Sequence, residues 1–233
     1  MTRPCGTPGT IRAHICDNQN VLLLRVELPD QPGALGQVAT AMGAVGADIF
    51  AIEIVERRDD GHVIDDFILQ MPPGTLAETI ISACAETPDT TVLWLSRHPD
   101  EWRLESDIEV INRMARDPDN AARILAADAP TVFRCEWAAL INRHDLSVIL
   151  STSSAPEFTR EQLAALGDVH VATRHHMGAE WMPDWGDLTV ASAPAGPLGA
   201  LLVGREGGPE FLDSELFRLE HLAGAAAHDA VVN

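Results

Sequence analysis

Asp30-Gln31-Pro32-Gly33 runs straight into Ala34 and Leu35, the first residues of an apolar periodicity. A helix starting there leaves its first amides without intrahelical partners and turns the positive end of its dipole toward the loop. A ligand carboxylate could therefore rest on the backbone of Gly33, Ala34 and Leu35. Gly33 lets a ligand come close to the main chain. Asp30, with Asp48 across the site, supplies carboxylates for an ammonium group, so the residue types suit an amino acid, which carries both charges. The same residues also serve a structural end, because Asp and Pro commonly close a strand and open a helix. Spacing alone leaves both readings open.

Other chemistry-bearing groups are less well arranged. His170, His175 and His176, with Asp184 or Asp187 nearby, would suit a metal only if the chain looped tightly. On a strand His175 and His176 face opposite ways, and His170 and His176 lie about 20 Å apart. Trp181 and Trp185 suit a pocket wall or a dimer contact. Ser151, Ser153 and Ser154 follow His144 and Asp145 without a nucleophile elbow. Gly204 to Phe211, GREGGPEF, lacks the lysine and spacing of a phosphate loop and reads as a turn. Asp65 and Asp66, adjacent on a strand, face opposite ways and cannot act as a paired acid and base. No catalytic residue, metal site or cofactor is expected.

Composition narrows the chemistry further. The chain has 233 residues, 46% of them hydrophobic, with a formal net charge of −19, and all 16 basic residues are arginines. The lack of lysine excludes a Walker A loop, a Schiff base and a Ser-x-x-Lys nucleophile. Such acidity would repel a nucleic-acid backbone. The charge is −8 over residues 20 to 98 and −12 over residues 99 to 233, so the acidity belongs to both halves. Cys5, Cys16, Cys84 and Cys135 are widely spread without a C-x-x-C pair and read as reduced thiols. No stretch approaches the roughly 20 apolar residues of a membrane helix, and residues 1 to 19 lack a signal-peptide core. A cytoplasmic protein with a flexible amino terminus at 1–19 and no membrane partner is expected.

The elements that must position the loop follow from periodicity. Residues 21 to 28 alternate Leu22, Leu24, Val26 and Leu28 against Arg25 and Glu27, a strand with one buried face. Leu35, Val38, Met42 and Val45 make a helix face that Gly46 closes. Strands are predicted at 48 to 57, with Phe50, Ile52 and Ile54 on one face, and at 62 to 71, joined by Asp59-Asp60-Gly61. Thr75 and Glu78 form a capping-box pattern before a helix whose Leu76, Ile80, Ile81 and Cys84 face inward. A strand follows from Thr91 to Leu95. The order is βαββαβ, a ferredoxin-like arrangement.

In the second half, helices are predicted at 107 to 117, 119 to 128 and 130 to 143, then a strand at 145 to 151. A helix capped by Thr159 and Gln162 and a strand-like run at 169 to 175 follow. The half closes with strands at 187 to 193 and 198 to 204 and a helix at 213 to 228. The second half is therefore also α+β. The first and last of these helices border the half, and their apolar stripes permit a helical dimer interface as well as a core.

Residues 30 to 49, DQPGALGQVATAMGAVGADI, resemble the signature of the ACT domain, a small regulatory module, over about residues 20–97. The family often carries asparagine where this chain has Asp48. The resemblance implies amino-acid binding at the loop, often across a dimer interface, by Asp30, Gln31, Gly33, Ala34, Leu35, Asp48 and Ile49. The stretch from Asp187 to His228 is similar to the last strand pair, Gly-rich turn, Phe and final helix of GAF domains. That likeness covers about residues 120–233, after a helical linker at 98–119. Together they imply an α+β chain with a ferredoxin-like ACT domain followed by a GAF-like domain. The expected function is a non-catalytic regulatory sensor, a homodimer that binds a small amino acid and relays the state to the GAF-like half or a protein partner. A detached regulatory subunit of an amino-acid biosynthetic enzyme is the alternative, and a metal-dependent hydrolase at His170, His175, His176 and Asp184 ranks last.

Overall fold

The computed structural model describes residues 21–97 and 106–226. The flexible amino terminus expected at 1–19 lies outside these residues, as does the start of the linker expected at 98–119.

The first unit runs β1 (Val21–Pro29), α1 (Ala34–Ala44), β2 (Asp48–Arg57), β3 (His62–Gln70), α2 (Ala77–Ala85) and β4 (Thr91–Arg97). Its sheet has the order β2-β3-β1-β4 with every neighbouring pair antiparallel, the ferredoxin-like α+β arrangement. Leu24, Val26 and Leu28 of β1 join Val63, Phe67 and Leu69 of β3 on one sheet face, where Ala34, Val38 and Met42 of α1 and Ile80 and Cys84 of α2 cover them. Three expectations change. Arg25 lies wholly buried on the other face of β1, because the second unit packs there, so the strand has two buried faces. Phe50, Ile52 and Ile54 are about half exposed, because β2 is an edge strand. Leu76 is an extended residue before α2 with no side-chain cap, and it is exposed, so the Thr75–Glu78 capping box does not form.

The second unit runs α3 (Ser106–Arg116), a short 3-10 turn, α4 (Ala121–Phe133), β5 (Trp137–Asn142), β6 (Val148–Ser151), α5 (Arg160–Ala165), β7 (Thr173–Met177), β8 (Leu188–Ala195), β9 (Gly199–Glu206) and α6 (Asp213–Ala225). Its antiparallel sheet has the order β6-β5-β9-β8-β7. α3, α4 and α6 share one core with one sheet face, and α5 with Trp181 and Met182 covers the other. The helix expected at 130 to 143 is instead the end of α4 and then a strand. α4 continues through Pro130, and Arg134 stops it in a left-handed conformation at φ 50°. Residues 137 to 142 then fill the sheet interior between β6 and β9. Gly204 is required beside them, since a Cβ there would fall 2.0 Å from the Trp137 ring. α3 belongs to this core through Val110 and Met114. The Thr159–Gln162 capping box forms as the sequence predicts.

Candidate functional site

The loop between β1 and α1 is held at both ends. Asp30 donates its amide to Gly61 O at 2.8 Å, tying the loop to the β2–β3 hairpin, and its carboxylate pairs with Arg57 at the end of β2. Gly33 sits at the helix N-cap with φ 97°, a left-handed conformation that favours glycine, and the space where a Cβ would stand is open. No side chain caps α1 and no acidic residue occupies its first turn. The amide of Ala34 is engaged with Gln31 O at 3.2 Å, and the helical ladder begins with Gln37 N–H to Gly33 O at 3.1 Å. The amides of Leu35 and Gly36 lie between those two bonds, at the positive end of the helix dipole. Gln31 is exposed beside them.

Asp48 and Ile49 are not part of this loop within one chain. Asp48 pairs with Gln70 on β3, whereas Asp30 follows Pro29, whose partner is His62. Eight residues of strand, roughly 26 Å at 3.3 Å per residue, separate the two ends. Asp48 therefore does not lie across the site from Asp30 in the same chain.

On the opposite sheet face, the strands leading into the loop are bonded to the second unit. Arg25 of β1 donates from Nε and Nη2 to the two oxygens of Asp66 on β3 at 2.7 and 2.9 Å, and from Nη2 to Glu215 of α6 at 2.8 Å. Arg205 of β9 meets the same Glu215 oxygen at 2.7 Å and donates from Nε to the Arg134 carbonyl at 3.0 Å. The Arg134 guanidinium bonds Asp66 and Glu53. Arg205 also stacks with its Cζ 4.1 Å from the Phe211 ring centroid and 4.7 Å from that of Trp94. Burial alone would raise the Glu215 carboxyl, but the Arg205 and Arg25 guanidiniums outweigh it and hold it well below the usual range. A small cavity of about 60 Å³ adjoins this network, lined by Glu53, Arg134, Ser214, Glu215 and Arg218 among others.

Sequence reasoning missed this network. Its one legible signal was charge inside apolar strands: Arg25 within VLLLRVEL, Asp66 within HVIDDFIL, and Arg205 after GALLVG.

The histidine group does not converge. His175 is buried and its Nε2 lies 2.8 Å from Ser192 Oγ, whereas the His176 side chain is mostly exposed and His170 is exposed. Among the described residues the only metal-capable group of three is Glu27, Asp60 and His62, part of which is engaged in ion pairs with Arg58 and within the turn. Burial pushes the Cys84 thiol up to about 11 and that of Cys135 up to about 12, which keeps both protonated near neutral pH. Trp181 is buried and donates to Gln162 O at 2.8 Å. Trp185 lines a more open groove of about 420 Å³ with Met182, Asp184 and Glu157.

No family model matches the chain, and no curated protein matches it. Among solved structures it is similar to a formyltetrahydrofolate deformylase from Pseudomonas putida KT2440, at 11% identity and a TM-score of 0.33. That likeness covers 89% of this chain and 94% of the other. It is also similar to an unknown protein from Galdieria sulphuraria, at 11% identity and a TM-score of 0.29, over 79% of each chain. At these TM-scores neither likeness bears on function.

Proposed function

We propose that the chain is a non-catalytic regulatory sensor. Its first unit, an ACT-type module, binds a small amino acid at the loop from Asp30 to Gly36, and its second, GAF-type unit reads the state. The observation that carries this reading is a covalent distance: Arg25 of β1, bonded to Glu215 of the second unit, is five residues before Asp30, the loop residue that follows the end of β1 at Pro29. A ligand that tightens the loop acts on β1, and β1 is held to α6 by charge-assisted bonds. The relay can be no larger than the ligand's difference in affinity between the two states. The β8–β9 pair, the turn at Gly207-Gly208, Phe211 and α6 follow one another along the chain, an order that supports the second half of the reading.

A homodimer completes the site. The β2 edge presents Phe50, Ile52 and Ile54 to solvent. Antiparallel pairing of two such edges would set the start of one β2 against the end of the other. Asp48 and Ile49 of a second copy would then come beside Arg57 and Asp30 of the first. The groove beside Trp185 would take any second effector. We assign the protein to the cytoplasm, without nucleic-acid or membrane partners.

Exposed Ile108 and Ile111 on α3 and Phe217 on α6 favour a second reading, a detached regulatory subunit that docks an enzyme through these helices. Affinity purification of the tagged chain distinguishes the two, since the subunit reading requires a stoichiometric enzyme partner. Calorimetric titration with the twenty amino acids tests the primary reading. Heat is expected for at least one small amino acid and not for Gly33→Asp, whose carboxylate would enter the loop mouth. No heat for any amino acid with the unaltered chain overturns it.

A further inference from the structure

The cavity of about 60 Å³ lies between the two units: Glu53 and Val55 of β2 form one side, and the end of α4, Val203, Phe211 and the first turns of α6 form the other. One water-sized group takes about 10–15 Å³ of such space, so there is room for roughly four to six heavy atoms. Ser214 of α6 lines the cavity, and its Oγ is enclosed and, among the described residues, has no hydrogen-bond partner. A hydroxyl enclosed in that way costs stability until something accepts its proton. Arg218 bonds Asp107 through Nε and Nη2, and its Nη1 donates to no described residue. Glu53 accepts from Arg134 through Oε2, and its Oε1 accepts from no described residue. The lining residues thus carry two unused donors and one unused acceptor around the same small space.

The charges facing it are already matched. Glu215 sits between Arg25 and Arg205, Arg134 between Asp66 and Glu53, and Arg218 against Asp107. A guest that is only an anion or only a cation would bring an unmatched charge into a part-buried place. A zwitterion would not. Its carboxylate suits the Ser214 hydroxyl and Arg218 Nη1, and its ammonium suits Glu53 Oε1. The walls made by Phe133, Val203, Phe211 and Leu219 suit a side chain that is small and apolar, or absent.

We infer that the junction cavity is a second binding site, for an amino acid of glycine or alanine size. It goes beyond the loop site and does not depend on it. A guest there touches β2 of one unit and α6 of the other, so it stabilises their packing directly. It also acts on the strand whose last residue, Arg57, pairs with Asp30.

Titration calorimetry with glycine, alanine, acetate and methylamine tests this on the full unaltered chain and on Gly33→Asp, Ser214→Ala and Glu53→Gln. Thermal melts without ligand come first, and Ser214→Ala should melt no lower than the unaltered chain, since it removes a hydroxyl that has no partner. The expected result is glycine or alanine binding that survives Gly33→Asp and is weakened about tenfold or more in Ser214→Ala and in Glu53→Gln, with weaker binding of acetate and methylamine. Amino-acid binding that is lost in Gly33→Asp and unchanged in the two junction variants overturns the junction site and leaves the loop site standing. Should Gly33→Asp fail to fold, unchanged binding in the two junction variants still overturns it. Acetate bound as tightly as glycine overturns the preference for a zwitterion. No binding of glycine or alanine by the unaltered chain overturns the junction site and leaves the loop to the other amino acids.

Discussion

Asp65 and Asp66 are neighbours in sequence with opposite fates. Asp66 meets two buried guanidiniums, whereas Asp65 faces an apolar layer and carries no partner. Its carboxyl ionises normally near 3.8 and is raised to about 6 in the fold. The folded state therefore holds that proton more tightly than the unfolded chain. The associated stability is complete below pH 3.8 and is lost as the pH rises through about 6. The shift of about two units corresponds to roughly 3 kcal/mol at most. Asp65→Asn removes the buried charge, so it should be more stable than the unaltered chain at pH 8, and the gap should shrink at pH 5. Urea unfolding at the two pH values measures this, and a pH-independent difference would contradict it. Strand alternation in the sequence was enough to separate the two aspartates onto opposite faces. It could not tell which face would receive arginines, because Arg134 and Arg205 arrive from far along the chain.

At the scale of elements, much of the ferredoxin-like half was legible because local signals agreed: alternation in β1, period and glycine in α1, an Asp-Gly turn between β2 and β3. The α4–β5 boundary was not. WAALIN is rich in alanine and reads as helix, and only its place between β6 and β9 makes it a strand. The solvent-side reading of Arg25 failed for the same reason, since a second unit covers that face. The junction between the units is the element-scale consequence. Glu215 serves two wholly buried arginines, so Glu215→Ala leaves Arg25 and Arg205 short of a counter-charge. It should cost about 3–5 kcal/mol in denaturant unfolding. Arg25→Met combined with Glu215→Leu should cost less than the sum of the two single changes, because each single change strands a charge that the pair removes together. Because Glu215 is held below its usual range, its contribution is present above about pH 4.5 and is lost on further acidification.

Over the whole molecule, the net charge of −19 conceals a local balance. Arg25, Arg134, Arg205 and Arg218, four of the 16 arginines, gather at the junction against Asp66, Glu53, Glu215 and Asp107. Of these, Arg25 through Glu215 and Arg134 through Glu53 and Asp66 bond directly across the two halves. The remaining open surface at the β2 edge is apolar, and a second copy is the proposed occupant. Ile52→Lys should shift a dimer to monomer in sedimentation velocity; an unchanged sedimentation coefficient would remove the dimer from the account. The central claim is that an amino acid bound at the loop is felt in the second unit. Hydrogen–deuterium exchange of the full chain, in buffer and in a mixture of the twenty amino acids, reads both ends at once. The account predicts slower exchange at residues 33 to 38 and also at the start of α6, from Asp213 to Leu219; superimposable exchange at the loop, or protection at the loop with superimposable exchange at the start of α6, would contradict it.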